Sequence, residues 1–385
     1  MENLFVETLI SDLHFGAYDP NEQYKILKDQ FLNKLIELPV LDLVVIAGDI
    51  FHRKFMANSD AVSVACYFVS ELIDICGMKN ATLIIISGTY SHDADQIKLF
   101  YPLAQQAMNR GIDVRIIEEI SFEMVKGKRI LCIPEKYGKG YDYYANYLFN
   151  NGGSPVVNDP EDRYYDACYL HGTFVNSVYG KTNPNLDAER EPVFCMDDFA
   201  YCLGPIIAGH VHQPNCFESH FYYCGSPYRW QFGDEPDKGF IILIQDIRSH
   251  FYTVKYEEII SDKYITMDLD HLLDNDPNQT ITYINNLREQ ENIKYIKIVF
   301  THYNPENMSI IQSFYRNDKN VTIVDKSKNI NVAKDVTEVE NKYKEYDYIT
   351  NASMTPEAKL VSYINQYKGS TFLTVEELVK ILKDI

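Results

Sequence analysis

Six short segments of this chain end in residues that bind metal ions or move protons. They are Asp12-Leu13-His14, Gly48-Asp49-Ile50-Phe51-His52, Gly88-Thr89-Tyr90-Ser91-His92-Asp93, His171-Gly172, Gly209-His210 and, two residues on, His212. Carboxylate oxygens and imidazole nitrogens together suit hard-to-borderline divalent ions. Asp12 and His14, two apart in a loop, can reach one ion together. His210 and His212, with the same spacing, can straddle two, and Asp49 offers two oxygens as the natural bridge between them. Two ions ~3.5–4 Å apart generate hydroxide at neutral pH and stabilise both the attacking and the leaving oxygen of an in-line displacement. Phosphoester hydrolysis needs that combination. Singly, each piece has an ordinary reading: an H-x-H pair on a surface, a Gly-Asp turn after a strand. The ordered set carries the chemistry.

Most of these segments follow an apolar, β-branched run, so the ligand types sit just beyond strand C-termini, where open α/β sheets place their sites. Strand patterns are read at Leu4–Ile10, Leu41–Ala47, Ala81–Ile86 and Val114–Ile117. Between them lie helical patterns at Asn21–Leu38, at 59–76 behind an Asn58 or Ser59 cap and closed by Gly77, and at Gln96–Arg110. This alternation predicts an α/β fold with a largely parallel first half. Residues 136–165 read mostly as loop. Strands resume at Asp166–Leu170, Pro205–Ala208, Phe221–Cys224 and Phe240–Ile244, which favours a second sheet packed on the first. Near residue 260 the pattern changes to a small βαβαβ-like unit: strands Tyr264–Leu269, Tyr295–Phe300 and Val321–Val324, with helices Asn278–Gln290 and Pro305–Arg316. We therefore divide the chain into a catalytic domain at 1–260, a small α/β domain at 261–327, a polar linker at 328–353 and a helical hairpin at 354–385. The hairpin rests on the Thr355-Pro356-Glu357 cap and the Thr374-Val375-Glu376-Glu377 capping box.

Composition narrows the functions. A chain of 385 residues with 46% hydrophobic content supports more than one core. No apolar run approaches the ~20 residues needed to span a bilayer, and no secretory signal pattern opens the chain; no membrane association and a cytoplasmic location are expected. Eight cysteines without a C-x-x-C pair read as reduced, buried thiols. The net charge of −19 argues against a chain that grips nucleic acid over its whole surface. A nucleic-acid substrate therefore requires a local basic surface or a partner that supplies one. Arg53, Lys54, Lys181 and Arg229 are candidate phosphate contacts, each with simple solvation as the ordinary reading. The tyrosines of 141–147 are candidate base-stacking groups, with core packing as the commoner use.

The order D-x-H, G-D-x-x-H, G-x-x-x-H-D, H-G, G-H-x-H resembles the calcineurin-like metallophosphoesterases. Within them the chain is similar to the SbcD-type DNA-repair exonuclease subunits, which work with an SMC-like coiled-coil ATPase; a phage-type member is one reading, with host cytoplasm as its compartment. Gly48-Asp49-Ile50-Phe51-His52, Gly225-Ser226-Pro227-Tyr228-Arg229, Phe232-Gly233-Asp234-Glu235, Asp237-Lys238-Gly239-Phe240 and the placing of 261–327 as a capping domain carry that similarity, over roughly residues 1–325. The resemblance implies a metallophosphoesterase-type two-sheet sandwich and two divalent ions, most readily Mn2+. It puts Asp12, His14, Asp49 and His212 on one ion, and Asp49, His171 and His210 on the other. It gives His92 to the leaving group and His52 to the scissile phosphate. It also implies that the C-terminal segment binds the ATPase; packing of that hairpin on its own domain stays open, as does a homodimer.

One motif departs from the pattern. The family has G-N-H-D, with the asparagine as a ligand, whereas Gly88-Thr89-Tyr90-Ser91-His92-Asp93 has none. Aligning on His92 puts Ser91 in its place, and aligning on Gly88 puts Thr89 there. A weaker second ion, takeover by His92 or Asp93, and loss of activity are the three outcomes. A working site with altered geometry is the favoured one. A DNA nuclease leads; a phosphatase or cyclic-nucleotide phosphodiesterase, and a non-catalytic DNA-end or scaffold subunit, are the alternatives.

Overall fold

A computed structural model describes residues 4–136, 143–144, 164–174, 193–217, 220–234, 237–246, 248–268, 276–291, 293–300 and 305–326. Two compact units divide the chain: Met1–Ile265 with Leu287–Tyr295, and Thr266–Asn286 with Ile296–Ile385. The linker and hairpin expected at 328–385 lie outside the described residues, as do most of 136–165 and Lys181.

In the first unit, β1 (Leu4–Ile10), β2 (Leu43–Ala47), β3 (Thr82–Ile86) and β4 (Val114–Ile117) run parallel, as the alternation predicts. A hairpin follows, β5 (Ser121–Val125) and β6 (Lys128–Ile133), turning at Lys126-Gly127, both with positive φ. After it come β7 (Ala167–His171), the short β8 (Thr173–Phe174) and β9 (Val193–Phe194), then β10 (Ile206–Gly209), β11 (Asn215–Phe217) and β12 (Phe221–Tyr223). Two long strands, β13 (Gly239–Asp246) and β14 (Tyr252–Glu258), return antiparallel to the edge of the first sheet. The sheets have the orders β14-β13-β1-β2-β3-β4 and β11-β12-β10-β7-β6-β5. The expected two-sheet α/β sandwich is the observed one.

Period-two alternation decides which side chains meet. Leu43, Val45 and Ala47 of β2 pack between the sheets with Ile130, Cys132, Ala167, Tyr169 and Ile207. Val44 and Ile46 face the other way, into helices. A buried ion pair also crosses the inter-sheet core: Lys128 to Glu7, with the Tyr169 hydroxyl donating to the same carboxylate at 2.6 Å. Burial raises the Glu7 carboxyl, while Lys128 and Tyr169 pull it back down.

The helices depart from expectation in local detail. The pattern at Asn21–Leu38 forms α1 (Pro20–Leu27) and α2 (Asn33–Glu37), joined by a π-turn at Lys28–Leu32. The helix α3 (Asp60–Lys79) opens on Ser59, whose hydroxyl accepts from the Val62 N–H at 3.3 Å, but Gly77 does not close it. Asn80 does, in the left-handed region at φ 51°. Gly77 is instead a close approach, since a Cβ there would meet Ile112 Cδ1 at 2.7 Å. By length and composition α3 could cross a bilayer. Here it is a core helix: Val62, Ala65, Phe68, Val69, Leu72 and Cys76 are buried in the cluster against the first sheet. The pattern at 96–110 splits into a 3₁₀ turn (Ala94–Phe100) and α4 (Tyr101–Asn109), because Pro102 has no N–H to donate and suits a first turn.

In the second unit, Ile296–Phe300 pairs in parallel with Val321–Asp325. The part of helix Pro277–Glu291 up to Asn286 is tied to helix Pro305–Tyr315 by the Tyr315 hydroxyl, 3.0 Å from Asn285 Oδ1. Ile281, Ile284, Ile298, Phe300, Met308 and Ile311 are buried there.

Candidate metal centre

Past the ends of β1 and β2 the chain continues as two loops zipped together by backbone hydrogen bonds. Asp12 N–H donates to the Gly48 carbonyl at 3.0 Å, His14 N–H to Asp49 at 3.0 Å, Phe15 N–H to Ile50 at 2.8 Å and His52 N–H to Phe15 at 3.1 Å. Buried Leu13, Phe15, Ile50 and Phe51 anchor the loops, so the intervening Asp12, His14 and Asp49 turn toward the second sheet. The zip forces unusual backbone. Asp12 (φ 53°), His14 (φ 45°), Asp49 (φ 54°) and His210 (φ 87°) are four of the seven non-glycine residues with positive φ among the described residues. Each such residue is disfavoured by on the order of 1 kcal/mol, and clustering of that strain marks functional sites. Two glycines supply the room. A Cβ on Gly48 (φ 86°) would meet His171 Nδ1 at 2.2 Å, and one on Gly88 would meet Asp49 Oδ1 at 2.3 Å.

Asp12, His14 and His212 form one group of ligand atoms, and Asp49, His171 and His210 another. In the first, the Nε2 atoms of His14 and His212 lie 3.1 Å apart, and each is within 4.0 Å of Asp12 Oδ1. Asp49 Oδ2 is 3.8 Å from His14 Nε2, and Oδ1 is 3.4 Å from His171 Nε2. One carboxylate thus faces both groups. His171 Nδ1 donates to the Ala47 carbonyl at 2.8 Å, which leaves Nε2 facing the site. Asp12 accepts from the His210 backbone N–H at 3.1 Å, tying the loop after β10 to the loop after β1. Glycine-lined room, two carboxylates, four imidazoles and ion pairs of Asp12 and Asp49 that, among the described residues, go to histidines fit divalent metal ions.

The titrating groups are pushed apart by this packing. Burial holds His14 well below the usual histidine value, and with the charge of His171 it pushes His210 down to about 4. Both rings therefore offer neutral lone pairs at neutral pH. Burial would raise Asp49, but His171, His14 and His92 outweigh it and keep the carboxyl ionised. For His171 burial is likewise outweighed, by Asp49, Asp12 and Glu135, and its value rises well above normal. Asp12 is raised by burial, against the pull of His171 and His212.

Of the two alignments of the third motif, the structure favours the one on Gly88, which puts Thr89 in the asparagine's place. Ser91 is exposed. The buried Asp93 carboxylate accepts backbone N–H groups of Ile50 (2.8 Å), Gly88 (2.9 Å) and Phe51 (3.2 Å), so it ties the second and third loops together. Burial, then the charge of Asp49, pushes it up to about 6. Thr89 occupies the second group instead. Its Oγ1 lies 3.2 Å from Asp49 Oδ2, 3.2 Å from His171 Nε2, 3.3 Å from Glu135 Oε2 and 3.4 Å from His210 Nδ1. Sequence reasoning missed Glu135; the only signal for it was a carboxylate at the end of an apolar run, Ile130–Ile133, beyond Pro134.

His92 and His52 stand at the mouth, grouped with His14. His92 Nδ1 donates to the His52 carbonyl at 2.5 Å, and Nε2 lies 4.0 Å from Asp49 Oδ2. Burial, then His92 and Arg53, lowers His52, so it acts as a neutral ring. Arg53 and Lys54 are exposed beside it, Lys54 over the Tyr90 ring at 4.1 Å. Arg229 is not placed for the expected phosphate contact: it is 5% exposed and its guanidinium donates to Asp237 at 3.2 Å. Lys238, from the segment that carries the resemblance, donates to the His212 carbonyl at 2.8 Å. The single tryptophan, Trp230, packs its ring 4.8 Å from His14 and 4.7 Å from His212.

No family model matches the chain. Over 227 residues it is 22% identical to "Putative phosphoesterase 244L" of Invertebrate iridescent virus 6, a stretch that covers 56% of this chain and 69% of that protein. That similarity is to a phosphoesterase. A solved structure aligns with a TM-score of 0.37 at 10% identity, over 66% of this chain and 99% of its own, a likeness too slight to carry an argument.

Proposed function

We propose that this chain is a metal-dependent phosphoesterase whose substrate is the DNA backbone, a nuclease subunit that works in the cytoplasm with an SMC-like ATPase in DNA repair or recombination. The observation that carries the hydrolytic part is Asp49, one carboxylate facing two groups of ligand atoms at 3.4 and 3.8 Å. The similarity to a phosphoesterase supports it. When bound, two divalent ions, Mn2+ in our reading, supply the nucleophile at neutral pH and neutralise the charge on the phosphoryl group. Within this frame Asp12, His14 and His212 hold one side of the site and His171 and His210 the other. His92, its Nδ1 committed to a carbonyl, presents Nε2 to the mouth and holds the proton that the departing oxygen requires. His52, neutral, orients the phosphate by hydrogen bonding.

The DNA reading rests on the resemblance of 225–240 and on the exposed Arg53 and Lys54 at the mouth. The net charge of −19 supports a partner that supplies most of the DNA-binding surface. Purified chain with Mn2+ is assayed on linear double- and single-stranded DNA and on p-nitrophenyl phosphate esters, beside Asp49→Ala, with and without the ATPase. DNA cleavage abolished in the variant supports the proposal. Ester hydrolysis without DNA cleavage leaves a phosphatase or phosphodiesterase. Inactivity on all substrates with ions bound and the ATPase present supports a scaffold.

A further inference from the structure

We propose that Glu135 is a ligand of the second ion, a carboxylate standing where the third motif lacks an amide. The inference rests on the two-ion reading and assigns to it a residue that no motif contains. Glu135 follows the end of β6, beside β7 with His171 at its tip. Its backbone N–H donates to the Ser87 carbonyl at 3.2 Å, which pins it against the third-motif loop. Its side chain is 2% exposed, with Oε2 3.7 Å from His210 Nδ1 and 4.0 Å from His171 Nε2. Asp49 Oδ1 lies 3.4 Å from the same His171 atom. Donors that share one ion through bonds of ~2.0–2.2 Å lie roughly 3–4 Å from one another, the range of these spacings.

Thr89 marks the middle of the group. Its hydroxyl lies 3.2 to 3.4 Å from all four side chains. That hydroxyl has one proton to donate, and Asp49 Oδ1 also accepts the Thr89 backbone N–H at 2.6 Å. Two carboxylates this buried, 3% and 2% exposed, repel each other unless positive charge lies between them. A divalent ion supplies two such charges. A carboxylate in place of a neutral amide adds a full negative charge and a hard oxygen, so the second ion is held firmly by a motif that looks deficient. Glu135 also lines a cleft of about 680 Å3 with Gly88, Tyr90, Lys136 and Tyr143.

The full chain, stripped with EDTA, is titrated with Mn2+ by calorimetry while Trp230 fluorescence is recorded. Trp230 touches two ligands of the first group and so reports the first ion. Two ions are expected in the unsubstituted chain. In Glu135→Gln, which keeps size and shape, the second ion weakens by about tenfold or more while the Trp230 midpoint stays in place. Glu135→Asp falls between, and guards against a folding defect in the first variant. Unchanged binding of both ions in a folded Glu135→Gln overturns the proposal, and so does a Trp230 midpoint that moves as far as the second ion's. If the unsubstituted chain binds no ion and Trp230 stays silent, the two-ion reading itself fails, a result distinct from the others.

Discussion

The two halves of the metal centre share Asp49 but are assembled differently. The first joins Asp12 and His14, two residues apart in one loop, to His212 from another, and a single aromatic ring packs on both of its histidines. The second draws on four loops, and its Thr89 and Glu135 come from a motif that departs from the pattern and from the end of β6. A half built by local spacing is robust and visible in the text of the chain. A half built by tertiary convergence can replace one ligand with another from a distant strand, and the replacement leaves no local mark.

Substitutions separate the halves, beginning with what they share. Asp49→Ala removes the bridge, so both ions and activity are lost together; hydrolysis falls by roughly 10²–10³-fold or more, the scale of losing a transition-state electrostatic contact, as read by initial rates. A variant with native-like rates breaks the idea of a shared bridge. His92→Gln touches neither half as a ligand. Its kcat falls on the order of 10²-fold, most for esters with poor leaving groups, while ion affinities stay level. A loss equal for good and poor leaving groups removes His92 from proton transfer.

The next pair tests independence. His212→Ala erases the Trp230 response to Mn2+, whereas His210→Ala keeps it and weakens only the second ion, by about 10–100-fold in a calorimetric titration. If both variants silence Trp230, the halves do not load separately. A pH series follows from His171, which is held protonated well above the usual histidine value by Asp49, Asp12 and Glu135 against burial. An ion in the second group must displace that proton, so its affinity rises with pH, by about tenfold per unit while the ring stays protonated. His14, pushed low by burial, imposes no such competition through its own ring near neutrality. Titrations at pH 6, 7 and 8 that show a flat second affinity would contradict the ionised Asp49–His171 pair. The smallest effect is expected for Trp230→Phe, a few-fold weakening of the first ion alone through looser packing of His14 and His212.

Much of this was legible in sequence. The apolar runs that end at Ile10, Ala47, Ile86, His171 and Gly209 appear as parallel strands, because period-two burial and β-branched residues are local properties. Helix ends are less legible. Gly77 resembled a stop but serves close packing against Ile112, and Asn80 takes the left-handed turn. Arg229, read as a phosphate contact, is buried on Asp237, since nothing in one-dimensional text distinguishes a solvated cation from a paired one.

What the chain's own text determined is the inventory and its order: carboxylates and imidazoles at successive strand ends, with one motif lacking its amide. Those depend on residue identity and short-range pattern, which a linear chain displays in full. The tertiary structure alone decided that Asp93 is spent on backbone amides, that Thr89 rather than Ser91 faces the second group, and that the Glu135 carboxylate stands beside His171 and His210. Glu135 reaches His171 only because β6 and β7 lie side by side in the second sheet, Ile133 opposite Leu170. Pairing between strands more than thirty residues apart is set by burial of two whole sheet faces, and no local spacing encodes it.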